Sequence, residues 1–521
     1  MKSLPDINSL SLQELVAQMV TIRASGYLYD HQIQYPQWES PNRSLLTLLG
    51  EYGVGGVILV GGSAPEIYLR SQQLQAWAKF PLLIAADIEE GVGQRFKGAT
   101  WFPPPMALQS VSPDYAEAMG KITAIEAAAI GINWLFAPVA DVNNNPANPV
   151  INIRAFGETT GEVMGATRAF ILGTKPYPVL TTVKHFPGHG DTAVDSHLHT
   201  PVIPHDRDRF NQVELPPFAH AIAAGVDAVM TAHISAPALD SDNLATLSPH
   251  ILTGILRHEL KFEGLVVTDA LIMAGVANRY TPEQVAVQAV KAGADILLMP
   301  IDPVLTIDTV CKAVESGEIP RDRILASVER IWKAKARVCQ APTGLASVAQ
   351  SEHLAIAEAI ATHSIRFHVP NPSGFESASL KDKDELVNLI LVDDPLACEE
   401  FLHPRSPAVA LPHQYGCQRL VLDGHALSHL HIEKLPNVFL QIFSRGNPFR
   451  GSAEMHGQTQ SLIQTLVSKQ KLKAIAVYGS PYNLDRLLPL LPANVPWAFA
   501  YSQQPAAQEA ILQKLGLAKK N

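Results

Sequence analysis

LTTVKHF, residues Leu180–Phe186, runs directly into PGHGDTAVDSH, residues Pro187–His197, and this stretch decides how the chain is read. Its first half is β-branched and apolar without polar alternation, the pattern of a strand buried on both faces of a parallel sheet. Its second half holds two glycines and a proline, which mark an irregular loop. Lys184 and His185 stand at the junction. A buried run that ends in polar groups and opens into a long loop describes one βα unit with its chemistry at the C-terminal end of the strand.

Seven similar runs lie on either side, at Met19–Ser25, Gly56–Val60, Leu82–Ile88, Trp134–Val142, Ala228–Ile234, Leu265–Leu271 and Ile296–Pro300. Helical stretches separate them, most clearly at Pro113–Ile130 and Pro282–Ala292. Eight βα units in about 300 residues predict an α/β fold, an N-terminal (β/α)8 TIM-like barrel. An open doubly wound sheet is the alternative, and the count of eight disfavours it. Asp87, Asp141, Lys184, His185, His233 and Asp269 all fall at the C-terminal ends of their runs, whereas glycine and proline dominate the other ends. In barrel enzymes the C-terminal end carries the reaction.

The barrel reading covers residues 1–340. Residues 341–350 are small, polar and proline-containing and read as a linker. From 351 to 521 a helix beginning at Ser351 is followed by apolar runs at Leu386–Val392, Arg419–Leu422, Val438–Phe443, Ala474–Tyr478 and Trp497–Ala500. These predict a smaller α/β sandwich domain of ordinary size. It shows no concentrated cluster of His, Asp, Glu and Lys, so its expected role is that of a structural or interface domain.

Composition narrows the partners. The 521 residues are 47% hydrophobic and 17% charged, with a formal net charge of −9. A mildly acidic chain gains nothing from a phosphate backbone, which excludes nucleic acid as the expected partner. No run of about 18 apolar residues suggests a membrane span. The N-terminus lacks the apolar core of a signal peptide. The four cysteines, Cys311, Cys339, Cys398 and Cys417, are too scattered for a disulfide framework or a zinc ribbon. Reduced thiols and a cytoplasmic location are the expectation.

Three readings of Lys184–His197 compete. His185 and His189 have the i, i+4 spacing of a helical metal site, but Pro187 and Gly188 between them oppose a helix, so no metal is expected. Asp195, Ser196 and His197 suggest a hydrolytic triad, yet triads assemble from distant segments and no GxSxG elbow is present. The third reading is acid/base catalysis. In an extended loop Asp195 and His197 share a face, and a carboxylate beside an imidazole fixes its tautomer and raises its pKa. Such a histidine can protonate a leaving group. Asp269, ending the run Gly264–Thr268, is the candidate to attack from the other side. Equally, it could cap a helix over Ala270–Ala277.

Taken together, these segments resemble glycoside hydrolase family 3, and within it the bacterial β-N-acetylglucosaminidases. KHFPGHGDTAVDSH is similar to the family's KHFPGHG followed by the D-S-H motif of that branch. GLVVTDALIM resembles its nucleophile segment, and AADIEEGVGQRF a stretch that usually reads D-Q-E-G-G-R-V-Q-R-F. APVADV and Arg154-Ala155-Phe156-Gly157 match further blocks. The resemblance spans roughly residues 10–340. It implies Asp269 as nucleophile, His197 as acid/base paired with Asp195, and Asp87, Arg95, Arg154, Lys184 and His185 around a bound sugar. It implies no cofactor, and a small carbohydrate as partner: a GlcNAc-containing glycan or a peptidoglycan fragment. Val92, Glu90 and Ala270 depart from the family pattern, which bears on substrate preference rather than on the reaction. A hydrolase is the leading expectation, a phosphorylase that uses phosphate in place of water is the alternative, and a non-catalytic sugar-binding protein is third.

Overall fold

The computed structural model describes residues 2–196, 198–370, 386–392, 401–445, 455 and 457–518. The chain forms two compact units. One comprises Met1–Phe102 with Ser112–Ala357, the other Pro103–Val111 with Glu358–Asn521.

The first unit is a parallel barrel. Its strands are β1 (Val20–Ser25), β2 (Gly56–Val60), β3 (Leu83–Ala86), β4 (Trp134–Leu135), β5 (Leu180–Phe186), β6 (Ala228–Thr231), β7 (Leu265–Val267) and β8 (Leu297–Leu298). The hydrogen-bonded order is β7-β6-β5-β4-β3-β2-β1-β8, and a parallel bridge between Val267 and Ile296 joins the two ends. Each of the eight apolar runs contains one strand. Nearly every strand residue is buried, including all seven of β5. Burial on both faces explains the continuous apolar pattern.

Several strands are shorter than their apolar runs, because the polar residues at the run ends lie past the ladder. Asp87 follows Ala86, and Thr268 and Asp269 follow Val267. The helices lie where expected, at Asp114–Ile130 and Pro282–Ala292. The second starts with a capping box between Thr281 and Gln284. Residues 341–350 lie on the barrel unit: the Thr343 and Gly344 amides donate to Ala128 and Ala129, and the Ala349 amide donates to buried Glu126 at 2.8 Å.

The second unit holds a six-stranded sheet in the order β11-β10-β12-β13-β14-β9. Here β9 is Arg366–His368, β10 Leu386–Val392, β11 Gln418–Asp423, β12 Asn437–Ser444, β13 Leu472–Gly479 and β14 Trp497–Ala500. β9 pairs antiparallel with β14, and the other pairings are parallel. Phe439, Phe443, Tyr478 and Ile511 are in its core. The sequence gives no sign of β9, because an edge strand reading RFH needs no apolar face.

Among the described residues no helix is long and apolar enough to cross a membrane. Cys311, Cys339 and Cys417 are free thiols, each pushed up to about 11 by burial. Cys398 lies outside the described residues.

Two barrel helices meet backbone to backbone at glycines. A Cβ on Gly120, in helix Asp114–Ile130, would stand 2.2 Å from the Phe170 carbonyl oxygen. One on Gly173, in helix Thr160–Thr174, would stand 2.1 Å from that of Glu117. Backbone cannot yield as a side chain can. Gly120→Ala is therefore expected to destabilise the barrel by about 1–3 kcal/mol. Calorimetric melting checks this, and an unchanged transition would contradict the close approach.

Candidate active site

The site starts from one buried aspartate. Asp141, beyond β4, accepts the backbone amides of His185 (3.1 Å) and His189 (2.7 Å) on Oδ1. Its Oδ2 pairs with His185 Nδ1 at 2.8 Å. With the ring proton on Nδ1, His185 Nε2 faces Arg154 Nη2 at 3.5 Å. Burial opposes the charge of Asp141, but the neighbouring imidazole and amides outweigh it and hold this carboxyl below its ordinary range.

The loop after β5 is fastened just as closely. The Asn148 amide donates to the carbonyls of His189 and Gly190, both at 2.9 Å. A Cβ on Gly190 would stand 1.8 Å from the Val142 carbonyl oxygen, so only glycine fits there. His189 is fully enclosed, with Nδ1 2.9 Å from Thr192 Oγ1, and burial pushes it down to about 4. It is neutral at physiological pH and supports the loop. His185 and His189 face each other edge-on at 6.0 Å from a strand end and a loop. Among the described residues no group of three or more His, Cys, Asp or Glu side chains is arranged to hold a metal ion.

A second buried carboxylate organises the cations. Glu89 takes Arg154 in a two-pronged bond, at 2.9 Å from Nε and 2.8 Å from Nη2. Lys184 Nζ lies 2.6 Å from the same carboxylate and 2.8 Å from Asp87. Arg95, exposed, donates from Nε to the Asp87 carbonyl at 3.0 Å. Burial opposes ionisation of Glu89, yet Arg154 and Lys184 hold it well below the ordinary carboxylate value. Burial likewise works against the Lys184 charge, and Asp87 and Glu89 raise its pKa in spite of it. Asp87, Arg95, Arg154, Lys184 and His185 are thus brought into one connected polar cluster. Glu89 is the member that sequence reasoning missed. Its only local signal is that it lies in an acidic stretch, Asp87-Ile88-Glu89-Glu90, at the end of a buried strand.

Asp269 enters from β7. Its amide donates to the Thr231 carbonyl at 3.2 Å, and its Oδ1 accepts the Ala270 amide at 2.8 Å. The following helix begins only at Ala274, with Met273 at its N-cap. Asp269 therefore caps no helix over Ala270–Ala277. His233, beyond β6, supports this loop with Nε2 3.1 Å from the Ala270 carbonyl.

Asp195 is buried, and Ser196 and Leu198 near it lie in a turn. The Asp195 carbonyl accepts the amides of Leu198 (3.0 Å) and His199 (2.9 Å). His197 lies outside the described residues. The turn is tied to the Asp269 loop: the Gly275 amide donates to the Ser196 carbonyl at 3.2 Å, and Thr200 Oγ1 donates to the Gly275 carbonyl at 2.7 Å. The mouth of the barrel therefore gathers a fixed cluster of charged donors and acceptors, suited to holding hydroxyl groups. It also gathers two further acids on loops that touch each other.

Residues 11–334 match the glycosyl hydrolase family 3 N-terminal domain, and residues 379–516 match the bacterial glycosyl hydrolase family 3 C-terminal domain. Beta-hexosaminidase A of Pseudoalteromonas piscicida is 35% identical over 85% of this chain and 80% of its own length. A beta-hexosaminidase of Vibrio cholerae is 40% identical over 47% of this chain and 75% of its own. Among solved structures, a family 3 beta-N-acetylglucosaminidase from Paenibacillus aligns over 98% of both chains at 31% identity, with a TM-score of 0.82.

Glu89→Gln would leave two buried cations without their shared counter-charge. The expected cost to the barrel is about 3–5 kcal/mol at neutral pH. Because the folded-state pKa of Glu89 is depressed, its contribution is complete above the ordinary carboxylate range and is lost only as pH falls through that lowered value. Melting curves of both proteins from pH 7 downward test this: the gap between them should narrow in acid, and a gap that widened would contradict the ion-pair account.

Proposed function

The chain belongs to glycosyl hydrolase family 3, and from that membership we propose that it is a retaining β-N-acetylhexosaminidase that removes terminal β-linked N-acetylglucosamine. The observation that carries this reading is the cluster of Asp87, Arg154, Lys184 and His185 at the same barrel end as Asp269. Charge-assisted hydrogen bonds from such a cluster suit sugar hydroxyls and an acetamido carbonyl. The beta-hexosaminidase and beta-N-acetylglucosaminidase names of the relatives support the same sugar.

In this reading the Asp269 carboxylate attacks the anomeric carbon while His197, paired with Asp195, protonates the glycosidic oxygen. The bond to the aglycone breaks as the bond to Asp269 forms. Water then gives its proton to His197 and displaces Asp269, and two inversions yield net retention. Lys184 and Arg154 hold the sugar, and Arg95, next to Asp87, borders it. The source of the sugar is peptidoglycan fragments, and the compartment is the cytoplasm, where such fragments are recycled.

Release of chromophore from an aryl β-N-acetylglucosaminide tests the proposal. Asp269→Ala should lose on the order of 10⁴-fold in kcat, and azide should rescue it with formation of an inverted glycosyl azide. His197→Ala should lose less on this activated substrate than on a sugar with a poor leaving group, because a nitrophenolate needs little protonation. A near-normal rate for Asp269→Ala would refute the nucleophile. A rate that depended on added phosphate, with sugar phosphate as product, would replace the hydrolase with a phosphorylase.

A further inference from the structure

The loop that carries Asp195 and His197 leaves the barrel after β5 and returns into the helical residues 207–214. Its outgoing limb is seated early. A Cβ on Gly188 would stand 2.8 Å from Glu214 Cβ, and Gly190 lies on the Val142 backbone. The two limbs are then fastened to each other: His205 Nε2 donates to Asp191 Oδ2 at 2.6 Å, across 14 positions of the chain. Arg209 Nη2 stands 3.6 Å from the same oxygen and 3.2 Å from Glu214 Oε1. Glu214 is buried, and burial raises its pKa against the pull of Arg209. A chain of charged groups thus runs from the loop to the helical stretch behind it.

Between its fastened ends the loop has little core of its own. Val194, Leu198 and Val202 are exposed. A segment with few buried apolar contacts opens easily, so polar ties decide its shape. Some of those ties lead to other loops. The Ile203 amide donates to the Ser235 carbonyl and the Pro201 carbonyl accepts the Ser235 amide, both at 2.9 Å, while the Ser196 carbonyl is held by Gly275. The Asp191–His205 bond differs in joining the outgoing limb to the returning one, with Asp195 and His197 between them.

We infer that Asp191 and His205 are positioning residues for proton transfer: their bond fixes the base of the loop, and through it the place of Asp195 and His197. This rests on the reading under Proposed function, in which His197 is the acid and base. A general acid works only within hydrogen-bond reach of the oxygen it protonates. A displacement of about 1 Å can cost on the order of a hundred-fold in rate, and a shift at the base of a loop grows toward its tip. His205 and Asp191 are partly exposed, and an ion pair of that kind adds little to overall stability. Its loss should therefore loosen the loop and leave the barrel folded.

The test compares kcat/KM on two substrates. The β-1,4-linked dimer of N-acetylglucosamine has a sugar leaving group that must be protonated, whereas the dinitrophenyl β-N-acetylglucosaminide releases a stable anion. In His205→Ala the dimer value should fall about ten- to a hundred-fold, with the dinitrophenyl value within about two-fold of wild type. Glutamine offers an N–H near the place of Nε2, so His205→Gln should recover most of the dimer value. Azide, which attacks the glycosyl-enzyme without help from a base, should raise kcat of His205→Ala on the dinitrophenyl substrate. Equal losses on both substrates would make the bond a structural support, and no loss on either would leave it idle. A loss on the dimer alone without the azide effect would place His205 in aglycone binding. Each of these results overturns the inference, as does a glutamine variant no better than alanine. Asp191→Asn, which removes the charge and keeps the shape, should show the same selectivity and decides the question if His205→Ala misfolds. Equal losses on both substrates in His197→Ala would instead sink the acid/base reading under Proposed function, and this inference with it, an outcome read separately from the His205 variants.

Discussion

Two cations and one carboxylate, enclosed together beyond β3, set the terms for the barrel mouth. Glu89 faces both Arg154 and Lys184. Burying either cation alone would be strongly unfavourable, since desolvation is repaid only by a close opposite charge. With Glu89 in place the two stay charged inside the protein, and Lys184 has donors left for Asp87 at the edge. The cluster is rigid because each member is over-determined by its neighbours. Asp141 does the same for the histidines, since its two oxygens fix a backbone turn and a ring at once.

Glycines then decide how closely the loops approach this cluster. Gly190 lies on the Val142 carbonyl, and Gly275 lies where a Cβ would stand 2.8 Å from the Ser196 carbonyl. The first presses the β5 loop onto the β4 loop. The second brings the Asp195 turn and the Asp269 loop together. Such contacts hold acids on separate loops at fixed spacing.

The residues identified from sequence come together to different degrees. Asp87, Arg95, Arg154, Lys184 and His185 form one hydrogen-bonded group; Asp87, Lys184 and His185 were visible as polar side chains at the ends of buried strands, and Arg95 and Arg154 only through the resemblance of their segments to a family. Asp195 and Asp269 sit on loops joined through Gly275, a link that no spacing along the chain could reveal. Glu89 escaped notice because its partners are 65 and 95 positions away, and nothing in the acidic stretch from Asp87 to Glu90 singles it out from its neighbours.

By itself, the sequence determined the eight barrel strands and the two clearest helices between them, because strands buried on both faces must be continuously apolar. It also determined which chemical groups crowd the mouth, since polar residues at strand ends are read directly. Tertiary structure alone decided which of those groups touch, which carboxylate neutralises which cation, and that Asp269 ends a strand without capping a helix. It alone decided the edge strand β9, whose hydrogen bonds come from β14 and not from any pattern of its own. The physical reason is one of range. Burial and local hydrogen bonding leave their mark on adjacent residues, whereas charge pairing and close backbone approach join residues that only the closed barrel brings within a few ångströms.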